Sequence, residues 1–86
     1  MIQRTLKINL NKGLEARPVA MLVQIASQYD SKVYVETEGR KINAKSIMGM
    51  MSIGLHNGDE LNVITDGTDE TNAIAHVEKY LSGQGE

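Results

Sequence analysis

Two short stretches carry the side chains with the most chemistry to offer. In Asn43-Ala44-Lys45-Ser46-Ile47-Met48-Gly49-Met50-Met51 a serine stands directly before an apolar, methionine-rich run, with a lysine just ahead of it. Serine is favoured at a helix N-cap because its side-chain oxygen accepts a bond from a first-turn amide that has no other partner. A phosphate on Ser46 would bring about −1.5 to −2 charge and three acceptor oxygens to the positive end of a helix dipole. Ile47 and Met48 lie four and three residues before Met51, so each neighbours it along one side of that helix. Methionine is unbranched and polarisable, which suits an adaptable binding surface as well as a core. A phosphorylation switch and an ordinary capped amphipathic helix both fit this segment taken alone. In the second stretch, Gly13-Leu14-Glu15-Ala16-Arg17-Pro18, an acid and a base lie two apart at a helix start. A carboxylate there is favourable by roughly 0.3–1 kcal/mol, because the first amides of a helix carry partial positive charge.

The remaining polar residues form no further reactive set. His56 and His76 have no motif context, and no Ser/His/Asp set can be placed. Asp66, Asp69 and Glu70 resemble part of a calcium loop, but the spacing fails and a turn with a helix cap explains them. No glycine loop cradles phosphate, and neither a metal nor a cofactor is expected. With no cysteine there is no disulfide framework, thiolate ligand or cysteine nucleophile. A net charge of −2 gives no general drive toward nucleic acid or an anionic membrane. The only aromatics are three tyrosines, too few for a base-stacking platform. A soluble cytoplasmic protein is expected.

The elements that must hold these stretches follow from periodicity. Ile2, Leu6, Ile8 and Leu10 alternate with polar residues, interrupted only by Arg4, and predict a strand that ends at Asn11-Lys12-Gly13. Val19, Leu22, Val23 and Ala26, with Ile25 and Tyr29 at the edge, predict a helix over about 16–28, with Pro18 tolerated near its start. Val33 and Val35 lead through Glu38-Gly39 into Arg40-Lys41-Ile42-Asn43, a hairpin. The Ser46 helix runs to about Ser52. A strand over 60–65 places Leu61 and Val63 inward and Ile64 on the other side. Asp66-Gly67-Thr68-Asp69 reads as turn and cap, and Ala73, Ile74, Val77 and Leu81 define a last helix over 70–81. At 86 residues the chain is one domain, residues 1–86. The order βαββαβα is an α+β open-faced β-sandwich: a four-stranded, mainly antiparallel sheet covered on one face by three helices, the other face wet or met by a partner.

The two stretches, at their separation and within this element order, resemble the HPr family of phosphocarriers of the sugar phosphotransferase system. The resemblance covers nearly the whole chain. It implies a phosphorylatable histidine before the first helix and, in Gram-positive members, a regulatory serine before the second. Glu15 stands at the histidine's position, so relay by an imidazole nitrogen is expected to be lost, whereas Ser46 matches intact. The resemblance is strongest to the Crh (catabolite repression HPr) branch, which lacks the histidine, has glutamine there, and keeps the serine. It implies phosphorylation of Ser46 by HPr kinase/phosphorylase and corepression with the catabolite control repressor CcpA. Partner contacts are then expected from Glu15, Arg17, Lys45, Ser46, Ile47, Met48 and Met51. Lys45 would partly offset the phosphate, and Glu15, with Arg17 as counter-ion, would either mimic a phosphohistidine's charge or simply aid the helix. The alternative is a phosphocarrier HPr of the sugar phosphotransferase system, in which Glu15 either carries the phosphoryl group by acyl transfer or is an unusual or engineered substitution. Asn11-Lys12-Gly13 is a plausible hinge for exchange of the first strand, giving a monomer or a strand-swapped homodimer.

Overall fold

A computed structural model describes residues 1–10, 16–54 and 56–83. Its elements are β1 (Ile2–Lys7), α1 (Ala16–Ser27), β2 (Lys32–Thr37), β3 (Arg40–Asn43), α2 (Ile47–Met51), β4 (Glu60–Asp66) and α3 (Glu70–Leu81). The strands form one sheet in the order β1-β4-β2-β3, every neighbouring pair antiparallel. Strand registers set Ile2, Thr65 and Val33 in one row and Arg4, Val63, Val35 and Ile42 in the next. Apart from Arg4 and the partly covered Ile2, these residues are buried beneath the helices. Arg4, the interruption in the alternating pattern, sits at the sheet edge and reaches Glu78 of α3, Nη1 to Oε1 2.6 Å.

The opposite sheet face is polar. Gln3, Thr5, Glu36 and Lys41 are exposed there, and the Lys41 ammonium lies 4.5 Å from the Tyr34 ring centre. Ile64 is on this face, as its place in the alternation requires, but is buried, flanked in register by Gln3 and Tyr34.

Beneath the helices the core joins Val19, Leu22, Ile25 and Ala26 of α1 to Met50 of α2 and Ala73, Ile74, Val77, Tyr80 and Leu81 of α3. Two assignments shift from the sequence reading. Ile25 is buried and Val23 only partly covered, the reverse of their expected places, and Tyr80 joins the core although its ring was not counted there. Glu38 and Gly39 both have positive φ, 51° and 77°, as a tight hairpin turn following the sheet twist requires.

β1 stops at Lys7 rather than Leu10. Ile8, the residue after β1, donates to the Asp59 carbonyl and accepts from the Gly58 amide (2.9 and 2.8 Å), so two residues of the partner segment oppose it alone. Gly58 at φ +94° occupies the left-handed position of such a bulge, for which glycine is suited. Asn9 then turns away to α3, bonding the carbonyls of Leu81 and Ser82. The proposed hinge Asn11-Lys12-Gly13 lies outside the described residues. Among the described residues, no helix is long and apolar enough to cross a membrane.

Candidate functional site

The Ser46 site is built as its sequence indicates. Ser46 is extended (φ −100°, ψ 111°) and its Oγ accepts from the Gly49 amide at 3.1 Å, while its carbonyl accepts from Met50. Gly49 packs closely against this corner: a Cβ there would lie 3.1 Å from Ile42 Cγ2 and 3.3 Å from Ser46 Oγ, so either side chain would have to give by a few tenths of an ångström. At the far end Ser52 Oγ donates to the Gly49 carbonyl and receives Arg40 Nη2 at 3.0 Å. Five residues are too few to hold a helix alone. Here the cap, the Arg40 brace from β3 and the buried Met50 hold it.

The consequence is a sharp division of side chains. Met50 is 0% exposed, whereas Ile47, Met48 and Met51 are 49%, 84% and 53% exposed. Ser46 and Lys45 are half-buried. Lys45 is committed elsewhere than expected: its Nζ donates to the Tyr29 carbonyl at 2.7 Å, just beyond α1. Arg17 is exposed in the first turn of α1. Glu15 lies outside the described residues, so its pairing with Arg17 stays a reading of the sequence. Among the described residues, no group of three or more His, Cys, Asp or Glu is placed to hold a metal ion.

The histidines are apart from this surface. His56 is an exposed turn residue 3.9 Å from Asp59, and His76 Nδ1 pairs with the Tyr29 hydroxyl at 2.7 Å between α1 and α3. No local sequence pattern announces Tyr29–His76 or Arg40–Ser52, which join residues 47 and 12 positions apart.

Asp69 holds the N-cap position of α3, as the turn-and-cap reading has it, but its side chain makes no cap bond. Its carboxylate instead accepts from the amides of Asp30 and Ser31, both at 2.9 Å, and from the Ser31 hydroxyl. These donors, the Ser31 hydroxyl foremost and then the Asp30 amide, hold the Asp69 carboxyl below its ordinary range. Glu70 is lowered likewise, first by the Met1 ammonium and then by the Gly67 amide.

With this geometry in hand, similarity to known proteins is informative. A family model for the "PTS HPr component phosphorylation site" matches residues 2–82. The HPr-like protein Crh of Halalkalibacterium halodurans is 42% identical, covering 92% of this chain and 99% of that protein. The crystal structure of HPr-C-His from Thermoanaerobacter tengcongensis has a TM-score of 0.92 at 41% identity, over 100% of this chain and 98% of that one. Crh of Bacillus subtilis, crystallised as an intertwined, swapped dimer, has a TM-score of 0.78 at 40% identity, over 98% and 97%. This chain belongs to the HPr family. Within it, the likeness extends to proteins of the Crh branch.

Proposed function

We propose that this chain is a Crh-like regulatory protein of carbon catabolite repression, phosphorylated on Ser46 by an HPr kinase/phosphorylase and then acting as corepressor for a CcpA-type repressor. The observation that carries the reading is the setting of Ser46, a hydroxyl at the mouth of a short helix beside three exposed apolar side chains. A phosphoserine there offers a partner's Arg or Lys a charge-assisted anchor. Ile47, Met48 and Met51 supply the apolar contact, each worth about 1.5–3 kcal/mol if fully covered. Arg17 contributes a cation from α1. Lys45 contributes by position beside the phosphate, since its ammonium already has the Tyr29 carbonyl as partner. The protein is a binding module of the cytoplasm rather than an enzyme, because Glu15 has no imidazole nitrogen with which to relay a phosphoryl group.

Treatment with kinase and ATP, followed by titration with the repressor, tests this. Label on Ser46 and binding that requires it are expected of the wild type, and neither of Ser46→Ala. Binding of the kinase-treated alanine protein overturns the reading. A phosphocarrier role is the second reading, favoured by the 41% identity to the Thermoanaerobacter HPr. Incubation with enzyme I and its labelled phosphoryl donor separates the two, since label on Glu15 supports only the carrier. The swapped dimer of Bacillus Crh supports exchange of β1 here as well, because β1 is an edge strand whose neighbour in the sheet is β4. Monomer and dimer resolved by size, with the dimer lost on cutting after Leu10, are the expected result.

A further inference from the structure

The loop before β4 holds a chemically reactive pair that the proposed function leaves unused. Asn57 and Gly58 are both exposed, and their order is the one most open to self-modification. Glycine has no side chain to shield its amide nitrogen, so that nitrogen can attack the Asn57 Cγ carbonyl. The step forms a C–N bond, expels the side-chain amide as ammonia and closes a five-membered succinimide. Water then opens the ring, giving aspartate by attack at Cγ or isoaspartate by attack at the backbone carbonyl.

Here the attacking nitrogen is occupied. The Gly58 amide donates to Ile8 at 2.8 Å, and the adjoining Asp59 carbonyl accepts from Ile8 at 2.9 Å. The turn is closed further by the Asp59 amide on the His56 carbonyl at 3.0 Å and by the His56 amide on Asp59 Oδ2 at 2.9 Å. Swinging the Gly58 nitrogen onto Asn57 Cγ would break the bond to Ile8. We infer that Asn57 is a deamidation site gated by the end of β1, silent while Ile8 is bonded to the Gly58–Asp59 bulge and reactive when that end of β1 lifts away. The change is one-way. Isoaspartate adds a backbone carbon between residues 57 and 58, and either product adds a carboxylate next to Asp59 and Glu60. The isoaspartyl form no longer fits the bulge on Ile8, so it records that the strand has been free.

The test incubates the full chain in mildly alkaline buffer, folded and in denaturant, and follows conversion at Asn57 by peptide mass and by isoaspartyl methyltransferase labelling, with Asn57→Gln as blank. Ready conversion in denaturant, slowed at least about tenfold in the folded chain, is expected; tenfold corresponds to an opening cost of only 1.4 kcal/mol. Ile8→Ala keeps both main-chain bonds but removes the buried side chain that seats this end of the strand, and it is expected to react faster than the folded wild type at temperatures well below its own melting transition. Equal rates folded and unfolded, no conversion in denaturant, or an Ile8→Ala rate equal to that of the folded wild type would each overturn the inference.

Discussion

The starts of α2 and α3 invite comparison, because each places a small oxygen-bearing side chain at the N-cap. Ser46 bonds within its own helix, to Gly49 three residues on, and stays half-buried beside exposed Ile47 and Met48. Asp69 reaches 38 residues back to Ser31 and ties the α1–β2 connection to α3. Gly67 lies so close to that connection that a Cβ would fall 2.6 Å from Ser31 Cα. A local cap can be modified without unravelling anything beyond one turn, whereas a carboxylate with three donors from another segment belongs to the fold. On the proposed reading of Ser46, the difference sets a residue open to modification apart from one that belongs to the frame.

The comparison is broken or sharpened by four substitutions. Ser46→Ala is expected to abolish kinase-dependent repressor binding, read by titration, while removal of its cap costs only about 0.5–2 kcal/mol. Gly67→Ala is expected to leave Ser46 phosphorylation intact but destabilise by about 1–3 kcal/mol, as overpacked sites do. At about 4–8 °C per kcal/mol for a domain of this size, calorimetry resolves that readily. Met48→Ala is expected to weaken the phosphorylated protein's hold on its partner by roughly ten- to a hundredfold, from about 1.5–3 kcal/mol of apolar contact at 1.4 kcal/mol per decade. Its melting temperature should not move, because the side chain is already in water.

Asp69→Asn probes the other helix start by pH. The folded-state carboxyl is lowered from 3.8, so its contribution is complete above that value and lost as pH falls through the folded pKa. The variant is therefore expected to melt below wild type at neutral pH, with the gap closing in acid as the wild-type carboxyl is itself protonated. A gap independent of pH would show that the charge is not what the Asp30 and Ser31 amides require.

Much of this was legible from periodicity. Alternation exposed β1, β2 and β4, and the 3.6-residue pattern exposed α1 and α3 to within about a residue, because one covered face writes itself into the sequence. Ser46 was legible too, since an N-cap is a local device. What local pattern did not disclose were contacts set by packing between segments. The commitment of Lys45 to Tyr29, Asp69 to Ser31 and Arg40 to Ser52 each depends on how separate elements dock. Likewise the early end of β1 follows from its bulge with Gly58–Asp59 and its turn toward α3.

The position of β4 in the sheet has a consequence for how the chain is made. Among the described residues Ile2–Lys7 pair with Glu60–Thr65 alone, so the first strand leaves the ribosome some fifty residues before the strand that completes its hydrogen bonds. The β2–β3 hairpin and α1 can form meanwhile, but β4, one of the sheet's two inner strands, arrives next to last among the elements. Closing so long a loop late slows folding, and on a polysome a nascent neighbour's β4 can reach the waiting strand before its own does.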